Sequence, residues 1–155
     1  MSLVIVGLGN DLLGDDGIGL LIAAACEGHF GHDVAVRQTG RSGLYLIDEL
    51  QGFDDAIVVD SVIGDRPGTV RELAAEAMPV VGVPSAHYAG LPEALALARH
   101  AGLRVPGRLR IFAVEMDAAQ TIGSGPRPEV AAAVPVVLAR IERAVLEWGY
   151  GDRDA

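Results

Sequence analysis

Along the chain, short runs of apolar residues alternate with longer segments in which apolar residues recur at helical spacing. Runs of four to six residues that are apolar throughout are typical of strands buried on both faces, whereas a spacing of three to four residues indicates a helix. The pattern predicts strands at residues 3–6, 33–37, 55–60, 69–73 and 109–114. It predicts helices at residues 17–30, 43–50, 87–102 and 129–148. Pro135 lies inside the last segment and predicts a kink or a boundary there.

This order of elements predicts the fold class. Strands that alternate with helices favour a mostly parallel sheet covered on both faces. We therefore expect a three-layer α/β sandwich with about five strands and helices on both faces. The chain has 155 residues, which suits one domain. We expect that domain to occupy residues 1–150 and the polar residues 151–155 to form a disordered tail.

Composition excludes several classes of function. The formal net charge is −9, which argues against nucleic acid or an anionic membrane surface as a partner. No apolar run approaches the roughly 18 residues that a membrane span needs, and residues 3–6 are too short for a signal sequence. All 12 basic residues are arginine, so no lysine is available as a phosphate ligand or nucleophile. A single cysteine excludes an internal disulfide, and we expect a cytoplasmic protein.

Candidate functional residues follow the strands. Ligands of parallel α/β sheets bind where the connecting loops meet at the carboxyl ends of the strands. The loop after the first strand contains Asp15 and Asp16, the third strand ends in Asp60, and the loop after the fourth predicted strand contains His87. We expect these loops to bring two or more carboxylates and one imidazole to the same edge, with Asp16, Asp60 and His87 facing solvent in the cleft.

The opening loop allows three interpretations. Gly7 and Gly9 are consistent with a dinucleotide-binding turn, but Leu12 stands where that fingerprint needs a third glycine, and the aspartates would repel a pyrophosphate. The two glycines otherwise allow a sharp turn below the cleft. Asp15 and Asp16 are both suited to cap the following helix, where a carboxylate is favoured by about 0.3–1 kcal/mol. Because consecutive helical residues point about 100° apart, we assign the cap to Asp15 and the cleft to Asp16.

Asp60 and His87 each allow a structural and a functional interpretation. A strand-end acid can simply accept hydrogen bonds from backbone amides, or it can serve as a ligand or an acid–base group at the crevice. A lone histidine is usually an ordinary polar residue. In the first turn of a helix, however, it stays neutral and is able to coordinate a metal. Two carboxylates with one imidazole suit a first-row divalent metal with open coordination positions.

Other reactive side chains are weaker candidates. Cys26 lies in an apolar helical stretch, which is typical of a buried thiol rather than a nucleophile. Ser61 and Ser85 lack the surrounding pattern of a nucleophile elbow. Glu115 follows the last predicted strand and is a lesser cleft candidate.

The motifs resemble those of the hydrogenase maturation protease family. The match begins with the glycine- and aspartate-rich stretch at residues 7–19 and continues through residues 39–43, 57–61, 67–69 and 85–87, in the same order and spacing. The resemblance implies that Asp16, Asp60 and His87 are the metal-binding and catalytic residues. The first of these positions is Glu in some members of the family, so Asp16 has a reach shorter by one methylene.

The resemblance also implies an activity. Such endopeptidases remove a C-terminal extension from the large-subunit precursor of [NiFe] hydrogenases after nickel insertion. The nickel is carried by the substrate, and an open three-ligand site would recognise it only when it is present. We expect a monomer that uses metal-assisted hydrolysis without a covalent intermediate, in which Asp16 or Asp60 holds the attacking water or the nickel polarises the reactants. The alternatives are a nickel-checkpoint protein that binds the loaded subunit without cutting it, and a nucleotide-binding module.

Overall fold

The computed structural model describes residues 1–10, 12, 14–41, 43–74 and 91–151. Five strands lie in these ranges: β1 (Leu3–Leu8), β2 (Val34–Thr39), β3 (Asp55–Ile63), β4 (Val70–Ala74) and β5 (Arg108–Met116). The α-helices are α1 (Ile18–Cys26), α2 (Leu46–Leu50), α3 (Leu91–His100), α4 (Pro128–Ala131) and α5 (Ala133–Glu147). Short 3-10 turns at Gly14–Gly17 and Gly43–Tyr45 precede α1 and α2.

The strands form one sheet in the order β2-β1-β3-β5-β4. All neighbouring pairs are parallel except β4 and β5, which are antiparallel. Two apolar clusters fill the space between the sheet and its helices, one beneath α2 and α3 and the other beneath α1, α4 and α5. The sheet is therefore covered on both faces, and the predicted α/β sandwich with a five-stranded, mostly parallel sheet is confirmed.

Several boundaries differ from the sequence-based prediction. β3 continues to Ile63 instead of ending at Asp60, because its last residues still pair with β5 after β1 has ended. The first helix ends at Cys26, not at residue 30. The helix predicted over residues 129–148 is divided at Ala132, so the boundary that Pro135 predicted is confirmed: Pro135 lies in the first turn of α5, where a missing N–H costs little.

Two glycines let α1 pack directly on the sheet. A Cβ on Gly7 in β1 would lie 2.2 Å from the carbonyl oxygen of Gly19 in α1. A Cβ on Gly19 would lie 2.1 Å from the carbonyl oxygen of Leu8 and 2.6 Å from that of Val59. Gly7 thus lies inside a strand, so the sharp turn predicted at this residue is wrong. Its role is close helix–strand packing, which fixes where α1 and the loop before it begin.

Among the described residues, no helix is long and apolar enough to cross a membrane. Of the tail predicted at residues 151–155, only Gly151 belongs to the described part of the chain.

Candidate active site

The carboxyl ends of β1 and β3 form a switch point in the sheet topology. From β1 the chain passes through α1 on one face to β2 at the edge of the sheet, and it then passes through α2 on the other face to β3 on the far side of β1. The chain thus leaves β1 toward the β2 edge of the sheet and leaves β3 toward the β4 edge, and such a switch point is where a crevice forms at the carboxyl ends of the strands. This is the position at which open α/β sheets bind their ligands.

The loop after β1 delivers Asp16 to this crevice. The backbone N–H of Asn10 donates to the carbonyl oxygen of Asp16 at 3.2 Å, which closes the loop on itself. A Cβ on Gly9 would lie 2.1 Å from the same carbonyl oxygen, so only glycine permits this close approach. The side chain of Asn10 accepts the N–H of Leu12 at 3.0 Å and supports the turn. Asp16 is therefore held by its backbone and remains partly exposed.

β3 delivers Asp60 and Ser61 to the same crevice. β1 pairs with β3 only as far as Val59, so Asp60 is the first residue of β3 beyond the end of β1. Alternation along the strand places Asp60 on the face of α2 and α3, with Val58 and Val62, and Ser61 on the face of α1. Both residues are buried, at 0% and 2% exposure. The expectation that Asp60 faces solvent is therefore wrong, because Asp60 lies on a central strand and on the same buried face as Val58 and Val62.

Ser61 connects the two predicted carboxylates. Its hydroxyl donates to Oδ1 of Asp16 at 2.6 Å, across 45 residues of sequence. Its backbone N–H donates to Oδ1 of Asp60 at 2.7 Å. One carboxylate thus lies on each side of a single residue, at the topological switch point. Both carboxylates therefore contact the same residue of β3, Asp16 through the hydroxyl of that residue and Asp60 through its backbone N–H.

Asp15 has a different role from its neighbour. The first residue flanking α1 is Gly17, and no side chain caps this helix, so the predicted capping role of Asp15 is wrong. The Asp15 carboxylate is 1% exposed and accepts the backbone N–H of Arg127 at 2.7 Å and the side-chain amide of Gln120 at 3.2 Å. The same amide group of Gln120 accepts the backbone N–H of Asp15 at 2.8 Å. These hydrogen bonds hold the segment after β5 against the loop that contains Asp15.

His87 lies outside the described residues. The prediction that its loop follows a strand ending at this edge rests on a wrong strand direction: β4 is antiparallel, and its last residue, Ala74, pairs with Arg110 near the start of β5. The described residues nevertheless supply two oxygen donors, Asp16 and Asp60, of the three expected ligands. Within the described ranges, no group of three His, Cys, Asp or Glu side chains is arranged to hold a metal ion.

The weaker candidates are explained by their packing or by an ion pair. Cys26 is fully buried in the apolar cluster beneath α1, and burial, with a smaller contribution from Glu142, raises the pKa of its thiol to about 11. Glu115 lies in β5, partly buried, with its carboxylate 3.7 Å from Arg71. Ser61 was not among the predicted site residues, although it directly follows Asp60 in the sequence.

An apolar groove of about 330 Å³ opens beside the loop that carries Asp16. Gly14 and Gly17 of the opening turn, Leu20 and Leu21 of α1, and Pro126 are among the residues that line it. The groove therefore lies against the opening turn and α1, and the Asp16 side chain does not line it.

Comparison with known proteins points to one family. The family model HycI, described as hydrogenase maturation protease, matches residues 21–144, a range that includes Asp60 and His87. The Hydrogenase 2 maturation protease of Escherichia coli K12 is 28% identical over 155 residues, with 96% of this chain and 93% of that protein covered. The hydrogenase expression/formation protein HupD of Thiocapsa roseopersicina is 30% identical over 135 residues, or 83% of this chain, which spans 61% of HupD.

The fold is also similar to that of a solved structure. The solved structure of the hydrogenase maturating endopeptidase HybD from E. coli superimposes with a TM-score of 0.83 at 27% sequence identity. The superposition covers 97% of this chain and 96% of HybD. The similarity therefore extends over the whole sheet and its helices.

Proposed function

Because the chain belongs to the hydrogenase maturation protease family, we propose that it is an endopeptidase that removes a C-terminal extension from the large-subunit precursor of a [NiFe] hydrogenase after nickel insertion. Its partner is that precursor, and the nickel belongs to the substrate. We propose further that the protease acts as a cytoplasmic monomer and recognises the nickel through Asp16, Asp60 and His87.

The observation that carries this proposal is the hydrogen bond from Ser61 to Asp16, which brings the opening loop to the residue next to Asp60 at the switch point of the sheet. Carboxylate oxygens are suitable donors for a divalent first-row metal, and an imidazole from His87 would complete a set with open positions for the substrate's own ligands. A site that keeps open positions can bind a nickel ion that the substrate's own ligands already hold. Cleavage would then depend on nickel loading.

The described residues favour water as the nucleophile. The Ser61 hydroxyl is 2% exposed and donates its proton to Asp16, and the Cys26 thiol is fully buried with a raised pKa, so neither is presented to a peptide carbonyl. Partly exposed Asp16 is suited to accept a proton from an attacking water, a contribution of about 10²–10⁴-fold in general base catalysis. A bound nickel would polarise the carbonyl or the water.

The groove against the opening turn supports a peptide substrate. Its apolar residues Leu20, Leu21 and Pro126 offer a binding surface for a side chain of the precursor. An endopeptidase needs such a surface, because the scissile bond must be held in place for attack.

The test is co-expression with the hydrogenase large-subunit precursor of the same organism, with and without nickel, followed by intact mass measurement of the subunit. We expect the loss of a C-terminal peptide only with nickel and the wild-type protease, and no loss with Asp16→Asn, Asp60→Asn or His87→Ala. Asp65→Asn, which changes an exposed acid, is the matched control. Unchanged processing in two of the three site variants would refute the metal site. Complex formation without a change in mass would instead favour the checkpoint function.

A further inference from the structure

We propose that Ser61 is a positioning residue that orients the Asp16 carboxylate toward the substrate's nickel. The inference rests on the proposed function and adds to it a residue that the three-ligand set does not include. Ser61 does not touch the metal or the peptide in this proposal; it acts through Asp16.

The hydrogen bond between these residues has the geometry of a strong contact. Its 2.6 Å length lies in the range of an O–H group donating to an ionised carboxylate. Ser61 is 2% exposed, so water competes little for its hydroxyl. Its backbone is fixed because Ser61 pairs with Val114 of β5 in the interior of the sheet. The hydroxyl is therefore a rigid donor.

The bond determines which oxygen of Asp16 is presented. Oδ1 is occupied by Ser61, while Oδ2 makes no hydrogen bond to any of the described residues. Asp16 lies in a 3-10 turn and is partly exposed, so without this anchor its carboxylate would be free to rotate. Fixing Oδ1 leaves Oδ2 as the oxygen that is available to a metal. Partners of this kind, which orient a ligand, typically contribute about 10–100-fold to metal affinity or activity.

The side chain and the backbone of Ser61 have separable functions. The backbone N–H holds Asp60, and the hydroxyl holds Asp16. A substitution at Ser61 therefore removes the Asp16 anchor and keeps the N–H that Asp60 accepts. Thr and Val have nearly the same shape and differ in the hydroxyl, which makes Ser61→Thr and Ser61→Val an isosteric pair that also suits a strand.

The experiment measures two quantities for the full chain: Ni²⁺ affinity by isothermal titration calorimetry, and kcat and KM for cleavage of the nickel-loaded precursor. For Ser61→Ala and Ser61→Val we expect roughly tenfold weaker Ni²⁺ binding and roughly tenfold lower kcat/KM, mainly through a higher KM, because the nickel is part of the substrate. Ser61→Thr should restore both. In an Asp16→Asn background, the Val substitution should cause no further loss of Ni²⁺ affinity. The matched control is Ser2→Ala, which removes a hydrogen bond from a hydroxyl to the Asp54 carboxylate at the amino-terminal end of the strands.

The outcomes separate this inference from the proposed function. A Val variant with wild-type affinity and kcat/KM, in a chain that cleaves the precursor, would overturn the positioning role alone. Complete loss of cleavage with unchanged Ni²⁺ affinity would also overturn it, because that result is expected of a nucleophile. A wild-type chain that neither binds Ni²⁺ nor cleaves would refute the proposed function and the inference together.

Discussion

The Asp15 carboxylate accepts the backbone N–H of Arg127 at 2.7 Å, across 112 residues of sequence. Arg127 directly precedes α4, and its side chain forms an ion pair with Asp117 of the same segment. The bond to Asp15 ties this segment, which follows β5, to the loop that follows β1. Asp15 is buried by this contact, whereas Asp16, the next residue, is bonded to Ser61 and partly exposed.

Substitution of the two adjacent aspartates should therefore have different effects on stability and on processing. Asp15→Ala leaves the N–H of Arg127 without its acceptor, and we expect the free energy of unfolding in urea to fall by about 1–3 kcal/mol. Asp16→Ala should lower it by less than Asp15→Ala and abolish processing. Equal loss of stability in the two variants would contradict the division of roles.

Because Asp60 is buried, its role in processing is tested better by substitution with Asn than with Ala. Asp60→Ala removes a buried acceptor from the N–H of Ser61 and should cost about 1–3 kcal/mol of stability. Asp60→Asn keeps an oxygen for this N–H and should remain closer to the wild type in urea unfolding. We expect both variants to lose processing, since an amide is a poor metal ligand and a poor base. An active Asp60→Asn variant would show that the negative charge is not needed.

The fold was predictable because it depends on local patterns. Continuous apolar runs identify buried strands, Asp60 follows one of these runs and Asp16 lies in the loop after another, so the carboxyl-edge rule predicts both at the same end of the sheet. The direction of β4 was not predictable, because an apolar run is the same in either direction. Pairings such as Asp15 with Arg127 are also invisible in the sequence, since neither residue's neighbours indicate the other.

The burial of Asp60 illustrates the same limit. Its identity and its position after four apolar residues predicted a strand-end acid, and the sequence places no element over it. Its exposure depends instead on where β1 ends relative to β3 and on the helical layer above the sheet. Such relationships arise only when distant segments pack, so the sequence predicted a strand near Asp60 and did not predict the residue's burial.

The close packing of α1 on β1 predicts that one methyl group added at Gly19 lowers the stability of the fold. A Cβ on Gly19 would overlap the carbonyl oxygens of Leu8 and Val59, which are backbone atoms that cannot rotate away. Gly19→Ala should cost at least the roughly 1–3 kcal/mol typical of overpacking, measured by urea unfolding. Gly125→Ala is the matched control, because nothing lies within 4 Å of a Cβ at that position. A Gly19→Ala variant as stable as the control would refute this packing.

Cys26 should be dispensable for processing. Burial raises the pKa of its thiol to about 11, so little thiolate exists at neutral pH. We expect Cys26→Ala to retain cleavage of the precursor, and iodoacetamide to modify the wild-type thiol only after unfolding in urea. A folded Cys26→Ala variant without activity would revive a thiol mechanism.

Tyr150 and Asp55 predict how stability depends on pH. The Tyr150 hydroxyl donates to the buried Asp55 carboxylate at 2.6 Å. Burial alone would raise the pKa of Asp55, but the hydrogen bonds from Arg108 and Tyr150 outweigh it and hold that pKa below its ordinary value. A folded-state pKa below the unfolded one stabilises the protein fully above about pH 4, and this stabilisation is lost as the pH falls through the folded-state pKa.

Tyr150→Phe should consequently destabilise the protein in a pH-dependent way. At pH 7 we expect a loss of about 1.5–3 kcal/mol, the usual contribution of a hydrogen bond to a charged group. The loss should shrink as the pH falls below about 4, because protonated Asp55 accepts a weaker bond in the wild type. Urea unfolding at several pH values measures this difference, with exposed Tyr45→Phe as the control. A difference that stays constant from pH 7 to pH 3 would mean that Tyr150 stabilises the fold by packing rather than through the Asp55 charge.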